Sequence, residues 1–322
     1  MIRMRIKTDI TALGELLIDF TPAGVSQQGM RLFEQNPGGA PANLLAAAAK
    51  FGRKTAFIGK MGKDMHGDFL KETLIRAGIN TDNLIQDEKY FTTLAFVSLK
   101  ETGARIAFAR KPGADTNLCM KEIDPEILEN TRVFHVGSLS LTDDPSRTAT
   151  YEAINIARNS GAVISYDPNY RAALWSDPET AQLRMQSLIP YVDMMKISDE
   201  ETSLLTPYQD PEEAIQYLLR QGVHLVAVTL GRDGALIGNE NGIVKAEGFS
   251  SHAVDTTGAG DSFWGGFLAS YLQEETSPEH LTRAQMIQFG RVGNAVASLC
   301  VERRGGISAI PEMEEIEERL RG

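Results

Sequence analysis

The chain has 322 residues, with 32 Lys and Arg against 43 Asp and Glu, and its formal charge of −11 excludes a basic nucleic-acid-binding surface as the default reading. With 42% hydrophobic and 23% charged residues it reads as globular rather than disordered, long enough for one large core or for two domains of roughly 150 residues. No apolar run approaches the ~20 residues that cross a bilayer, the start MIRMRIKTD lacks the apolar stretch of a signal peptide, and Cys119 and Cys300 have no paired spacing, so no membrane partner, disulfide framework or zinc site is expected, and the expected location is the cytoplasm.

TALGELLIDF (11–20) reads as a first strand, with Asp19 at its end. NPGGAPANLLAAAAKFG (36–52) reads as a buried helix, opened by Pro41 and stopped by Gly52. KTAFIGK (54–60) is the next strand, and FTTLAFVSLKETGARIAFAR (91–110) reads as two strands around a turn at Thr102-Gly103. RVFHVGS (132–138), GAVISYD (161–167) and HLVAVTL (224–230) follow as further strands, separated by longer helical patterns. EMEEIEERLRG closes the chain as a solvated helix. This alternation predicts an α/β fold: a central, mostly parallel sheet with helices on both faces. Residues 21–37 and 90–112 lack crossover helices and are expected to form a small antiparallel β lid inserted into a single domain spanning 1–322.

Several common chemistries are absent. Phe57 stands where a Walker A loop ending in Gly62-Lys63 needs its first glycine, and Lys63 is followed by Asp64. The strand containing Gly14 has no G-x-G-x-x-G after it, which demotes a dehydrogenase. His66, His135, His224, His252 and His280 form no H-x-x-x-H pair.

Four constellations remain. In DTTGAGDSFWGGF (255–267), Gly258, Ala259 and Gly260 would present unpaired amide N–H groups at a helix start, where the dipole also favours negative charge. Asp261 then falls in the first turn, a proton acceptor beside an anion hole, which suits phosphoryl transfer to a hydroxyl. An acid favoured at a helix start would explain Asp261 equally well. Asn43, behind Gly38-Gly39, could read sugar hydroxyls through its donor and acceptor or merely tie down its own loop. Asp19, among apolar neighbours in GELLIDF, would be satisfied by two vicinal hydroxyls or by capping a loop. Last come Thr229, Gly231 and Gly234 of VTLGRDGA, Asn169 and Arg171 of DPNYR, and Lys196 and Glu201 of KISDEE. Thr229, Gly231 and Gly234 suit ATP phosphates or a plain hairpin turn, Arg171 could bridge phosphate or substrate oxygens, and Lys196 suits phosphate and Glu201 a water-mediated Mg²⁺, whereas Asp199 and Glu200 read as the acids of a helix start.

GGAPANLLAAAAKFGRKTAFIGKMGKDMHGD and DTTGAGDSFWGGF resemble the two signatures of the ribokinase-like (PfkB) sugar kinases, and the likeness runs from about Thr11 to Pro311. GELLIDF, PGGAPAN, FARKPGAD, FHVGSLSL and DPNYR are most similar to fructokinases, which transfer the ATP γ-phosphate to the 6-hydroxyl of D-fructose. The resemblance implies that Asp261 takes the hydroxyl proton and that Gly258, Ala259 and Gly260 form the anion hole. It implies that Asp19, Gly39 and Asn43 hold the sugar, with Phe108 and Arg110 covering it from the lid and Arg171 near the transferring phosphate. Lys196, Thr229, Gly231 and Gly234, with Asn169, match nucleotide-site positions. Glu201 would reach Mg²⁺ through water, in a motif that reads Ser198-x-x-Glu201 where the family has N-x-x-E. Asp255, Thr257 and the carbonyls around Cys300, Arg303 and Gly305 match a monovalent-cation loop, implying K⁺, although Ala309 replaces a serine found there in some relatives.

The lid is expected to close over bound sugar and keep water from the γ-phosphate, and its edges could pair across a homodimer. Two other functions fit the same residues. Arg105, Arg110 and Arg171 could grip the carboxylate of 2-keto-3-deoxygluconate. A sugar-binding sensor that has lost catalysis would keep the fold, but it would have no need of the intact GAGD.

Overall fold

A computed structural model, which describes residues 8–100 and 103–322, arranges the chain in a nine-stranded and a four-stranded sheet. The run 11–20 that reads as one strand is two. β1 (Thr8–Leu13) belongs to the large sheet, whereas β2 (Leu17–Val25) pairs with β3 (Arg31–Gly38) in the small one, so Asp19 lies on the small sheet. The chain breaks direction because Gly14-Glu15-Leu16 docks on the start of the Ala40–Lys50 helix. A Cβ on Gly14 would lie 2.7 Å from the Pro41 ring, and Glu15 Oε1 accepts the Ala40 N–H at 2.9 Å.

β4 (Thr55–Gly62) and β5 (Asn80–Asp87) return to the large sheet, and β6 (Thr93–Lys100) and β7 (Gly103–Ala109) to the small one. β8 (Thr131–Gly137), β9 (Val163–Asp167), β10 (Met194–Ser198), β11 (Leu225–Thr229), β12 (Ala235–Asn239) and β13 (Gly242–Ala246) complete the large sheet. Its order is β13-β12-β11-β10-β9-β8-β1-β4-β5, parallel from β11 to β5, with β12 and β13 antiparallel at one edge. Alternate strand residues feed opposite faces: Ile10 and Phe57 join one apolar core with the Ala40–Lys50, Ala259–Tyr271 and Arg283–Cys300 helices, and Leu13 and Ile58 the other with Ser146–Asn159 and Pro211–Arg220. The expected mostly parallel sheet with helices on both faces is thus observed.

Small residues set the one helix contact that matters most for the cavity. A Cβ on Gly265 would lie 2.5 Å from the Leu44 carbonyl and 2.7 Å from Ala47 Cβ, so the Ala40–Lys50 and Ala259–Tyr271 helices lie backbone to backbone with their N-termini at the same end. Asn43 therefore reaches Asp261 across that seam.

The small sheet has the order β3-β2-β6-β7: two antiparallel hairpins joined where β2 runs parallel to β6, Leu17 opposite Thr93. The expected turn at Thr102-Gly103 includes Thr102, which lies outside the described residues, as do the first seven residues of MIRMRIKTD. Strand alternation puts Leu17, Asp19, Thr21, Val97, Ile106 and Phe108 toward the cavity. Phe20, Phe33 and Phe96 cluster on the opposite face, Phe20 stacked on Phe96 at 5.1 Å. Among the described residues no helix is long and apolar enough to cross a membrane.

Candidate active site

A cavity of about 680 Å³ opens between the small sheet and the carboxyl ends of the central strands. One end is lined by Glu15, Asp19 and Asn36, the other by Ser198, Thr229 and Gly231, and Asp261 lies between them with Gly258 and Gly260.

The Ala259–Tyr271 helix is entered through Gly258 at φ 77°, a left-handed conformation, where a Cβ would also lie 3.0 Å from Gly306 Cα. The amides of Gly258 and Gly260 make no hydrogen bond to the described residues, but Ala259 N–H is turned back to the Thr256 carbonyl at 3.3 Å. The three consecutive open amides expected from GAGD are corrected accordingly: Ala259 closes the turn, and Gly258 and Gly260 remain as donors.

Asp261 is only 7% exposed. Its Oδ2 accepts from Asn43 Nδ2 at 2.8 Å and its Oδ1 from Asn169 Nδ2 at 2.9 Å, so two neutral amides from two other segments fix the carboxyl. Burial, then the negative charge of Asp167, pushes it up to about 6, against the pull of Lys196 and the Asn43 hydrogen bond. The Lys196 ammonium bonds Asp167 Oδ2 at 2.9 Å and sits so close to Gly260 that a Cβ there would lie 2.6 Å from Nζ. Burial pulls its proton affinity down, but the facing carboxylates of Asp167, Glu201 and Asp261 outweigh that and hold it above the usual lysine range. A fixed cation, two open amides and a carboxyl thus converge on one point of the cavity wall.

The Asp19 carboxyl lines the cavity and makes no hydrogen bond to the described residues; burial pushes it up to about 6. Glu15 beside it is driven up to about 7 by burial, with the Ala40 amide pulling the other way. The folded Glu15 therefore binds its proton more tightly than an unfolded one near 4.5, and this group costs stability progressively as pH rises through that window. His135, pushed down to about 3 by burial and Lys196, acts in the opposite direction below its ordinary 6.5. The diagnostic is consequently a difference. Glu15→Gln keeps an acceptor for Ala40 N–H and is expected to gain on the parent in urea midpoint as pH is raised from about 5.5 to 7.5. A gap that stays constant over that range would remove Glu15 as the source.

Of the other residues singled out in the sequence, Gly39, Asn43, Phe108, Asn169, Arg171, Lys196, Glu201, Thr229, Gly231, Asp255, Thr257, Gly258, Gly260 and Gly305 all line the cavity. Arg110 does not. Its guanidinium is buried outside the cavity, paired with Asp115 at 2.7 Å and donating to Thr142 and the Leu139 carbonyl, and this internal satisfaction corrects the expectation that it covers a ligand. Gly234 does not line the cavity either. At φ 91°, with the Ala246 carbonyl where a Cβ would be, it is the glycine of the β11–β12 turn. The Arg105 side chain lies outside the described residues.

Glu201 is engaged three times: Oε1 accepts Tyr170 N–H at 2.8 Å, and Oε2 accepts the Ser198 N–H at 2.9 Å and its hydroxyl at 3.1 Å. Asp255 accepts the amides of Thr257 and Gly305 at 2.9 and 3.0 Å, which hold it below the usual range although burial pushes the other way. It thereby gathers residues 255–257 and 303–305 into one loop cluster, with Cys300 Sγ 3.8 Å from the Thr257 carbonyl and the Arg303 side chain turned away to Glu315. Sequence reasoning passed over Glu15 and Asp167. Both carry a signal it could have used: Asp167 is the last residue of β9 and Glu15 follows β1 by two residues, so each is an acid at the carboxyl end of a central strand.

Residues 7–313 match the model of the pfkB family carbohydrate kinases. A probable fructokinase-4 of Arabidopsis thaliana is 36% identical over 321 residues, covering 98% of each chain. A fructokinase of Xylella fastidiosa, crystallised with bound ATP, superposes with a TM-score of 0.90 at 30% identity, covering 98% of this chain and 99% of that one. A fructokinase of Vibrio cholerae O395 superposes at 0.87 and 30% identity, covering 97% and 99%, in a structure with fructose, ADP and calcium ion; its double mutant holds fructose, ADP and potassium ion. With the family model matched over 7–313, a relative 36% identical over nearly the whole of each chain and the fold shared, the chain belongs to the pfkB family of carbohydrate kinases.

Proposed function

We propose that the protein is an ATP-dependent fructokinase that phosphorylates D-fructose on its 6-hydroxyl. The observation that carries this reading is the buried Asp261 carboxyl, held by Asn43 and Asn169 beside the open amides of Gly258 and Gly260 and the Lys196 ammonium. The sugar binds at the Asp19, Gly39 and Asn43 end under Phe108, and the nucleotide at the Lys196, Thr229 and Gly231 end. As the sugar oxygen forms its bond to the γ-phosphorus, the bond to the leaving oxygen of ADP breaks and the hydroxyl proton passes to Asp261. The amides, Lys196 and Arg171 stabilise charge on the transferring group. A transition state of this loose kind draws its acceleration from positioning and electrostatics, so a base near 6 suffices.

Mg²⁺ bound with ATP would neutralise charge on the phosphates. With three hydrogen bonds already on its carboxylate, Glu201 fits a contact to that ion through water and not direct ligation. K⁺ suits the carbonyl-rich cluster of Asp255, Thr257, Cys300, Arg303 and Gly305, which Asp255 ties together. Both cysteines are free, which fits a protein of the reducing cytoplasm. The half-exposed Phe33 and Phe96 on the outer face of the small sheet fit a homodimer formed through the lid.

A panel of hexoses, pentoses and 2-keto-3-deoxygluconate with ATP and Mg²⁺ tests the substrate. Fructose is expected to give the highest kcat/KM, because Asp19 and Glu15 place carboxyl groups where an acid sugar would bring a third, and Arg110 is already committed to Asp115. Preference for the acid sugar would overturn the reading. Sugar binding without ATP turnover would favour a sensor instead.

A further inference from the structure

Asp261 depends on Asn169, and Asn169 is held in an unfavourable backbone conformation, φ 47° in the left-handed region. Such a residue persists only when its neighbours are fixed. On one side, Asp167 Oδ1 accepts the Asn169 N–H at 3.1 Å; on the other, Glu201 Oε1 accepts the N–H of Tyr170 at 2.8 Å. The second oxygen of Glu201 is bound to the backbone and hydroxyl of Ser198, so one carboxylate, 8% exposed, staples the loop after β9 to the end of β10. Asp167 faces Lys196 and is already accounted for by that ion pair. Glu201 also adds negative charge near Lys196 but makes no hydrogen bond to it among the described residues; its three bonds go to Tyr170 and Ser198, and the charge on Lys196 does not account for them.

We infer that Glu201 is a positioning residue, which aims the Asn169 amide at Asp261 by holding the Tyr170 N–H, and that the Ser198-x-x-Glu201 pair is the anchor of that hold. The inference rests on the reading of Asp261 as the base. A residue that served only to reach a metal through water would have no reason to spend both oxygens on the backbone of two loops. The arrangement also accounts for Ser198: its hydroxyl supplies the third bond, fixing the carboxylate's second oxygen while the first faces Tyr170.

Glu201→Gln tests this, since its amide nitrogen would confront the Ser198 N–H where an acceptor is needed. The expected result is a fall in kcat on the order of 10-fold, because a displaced amide leaves the base misaimed. KM for fructose should stay within about twofold, since Asp19 and Asn43 are untouched, and excess Mg²⁺ should not restore the rate. Combined with Asn169→Ala, the loss should be close to that of Asn169→Ala alone, the mark of two residues acting in series. Recovery at high Mg²⁺, or losses that simply multiply in the double variant, would overturn the inference. If Glu201→Gln does not fold, Ser198→Ala removes only the hydroxyl bond; a loss of a few-fold that vanishes in the Asn169→Ala background supports the inference, and a loss that persists there refutes it. Asp261→Asn, measured alongside, keeps the two readings apart. Full turnover in that variant would dismiss the base, whereas a failed cycle between 169 and 201 with an inactive Asp261→Asn would dismiss only the positioning role.

Discussion

Asp261→Asn is expected to lower kcat by about 10²- to 10⁴-fold, the range for loss of a general base, while leaving the fold at least as stable as before. The two halves of this result come from one cause. The carboxyl is pushed up to about 6 by burial and by Asp167, so at pH 7.5 the folded protein carries a charge that its surroundings disfavour. An unfolded aspartate near 3.8 bears the same charge at no such penalty, so this group costs stability above about pH 6, on the order of 2–3 kcal/mol before relaxation. Asparagine removes that cost. It also brings an N–H₂ toward two amide donors, but Asn43 Oδ1 has no hydrogen-bond partner among the described residues, and a flip of the Asn43 amide turns that oxygen toward the new donor. A melting temperature unchanged or raised by a few degrees, with fructose still binding by calorimetry, is therefore the expected companion of lost turnover. In the parent, kcat/KM should rise with pH through about 6, as the carboxyl loses its proton, and then level off. Turnover within a few-fold of the parent would refute the assignment of the base.

The parts of the fold and site that could be read from the sequence were those set by local rules. Consecutive apolar positions marked β4, β8, β9 and β11 as strands buried on both faces, and Pro41 and Gly258 marked the starts of the two helices that meet at the site. What stayed hidden depends on which residue meets which. Gly14 is a break signal in that run, but an isolated glycine does not say whether a strand bulges or ends, and the docking of Gly14 to Leu16 on Pro41 and Ala40 is what divides β1 from β2. Arg110 has the composition of a ligand-gripping residue, but Asp115, five residues on, satisfies it internally. Asn169 could be picked out of DPNYR at the end of a strand and given to the nucleotide site, and only the three-dimensional arrangement turns its amide on Asp261. Glu201 could be singled out in KISDEE as an acid for water-mediated Mg²⁺, but its hold on Tyr170 across two strands cannot be read from spacing.

Lys196→Met is expected to cost both activity and stability, and a second substitution should separate them. The ammonium lies against Gly260 beside the open amides, and in the proposed reaction it meets charge developing on the transferring phosphoryl group; losing such a contact is expected to lower kcat by about 10²- to 10³-fold. Its removal also leaves Asp167 buried and facing methionine, a loss of about 3–5 kcal/mol when a buried pair is broken from one side. Replacing Asp167 as well removes the stranded charge. Asparagine there retains an oxygen for the Asn169 N–H, now accepted by Asp167 Oδ1 at 3.1 Å, so the loop that carries Asn169 keeps its support. The double variant Asp167→Asn/Lys196→Met should accordingly regain most of the urea midpoint lost by Lys196→Met, while its kcat stays low, because no cation has been returned to the anion hole. Recovery of turnover together with stability would mean that Lys196 serves only to neutralise Asp167. Neither property recovering would mean that the pair is needed to shape β9 and β10 rather than to balance charge.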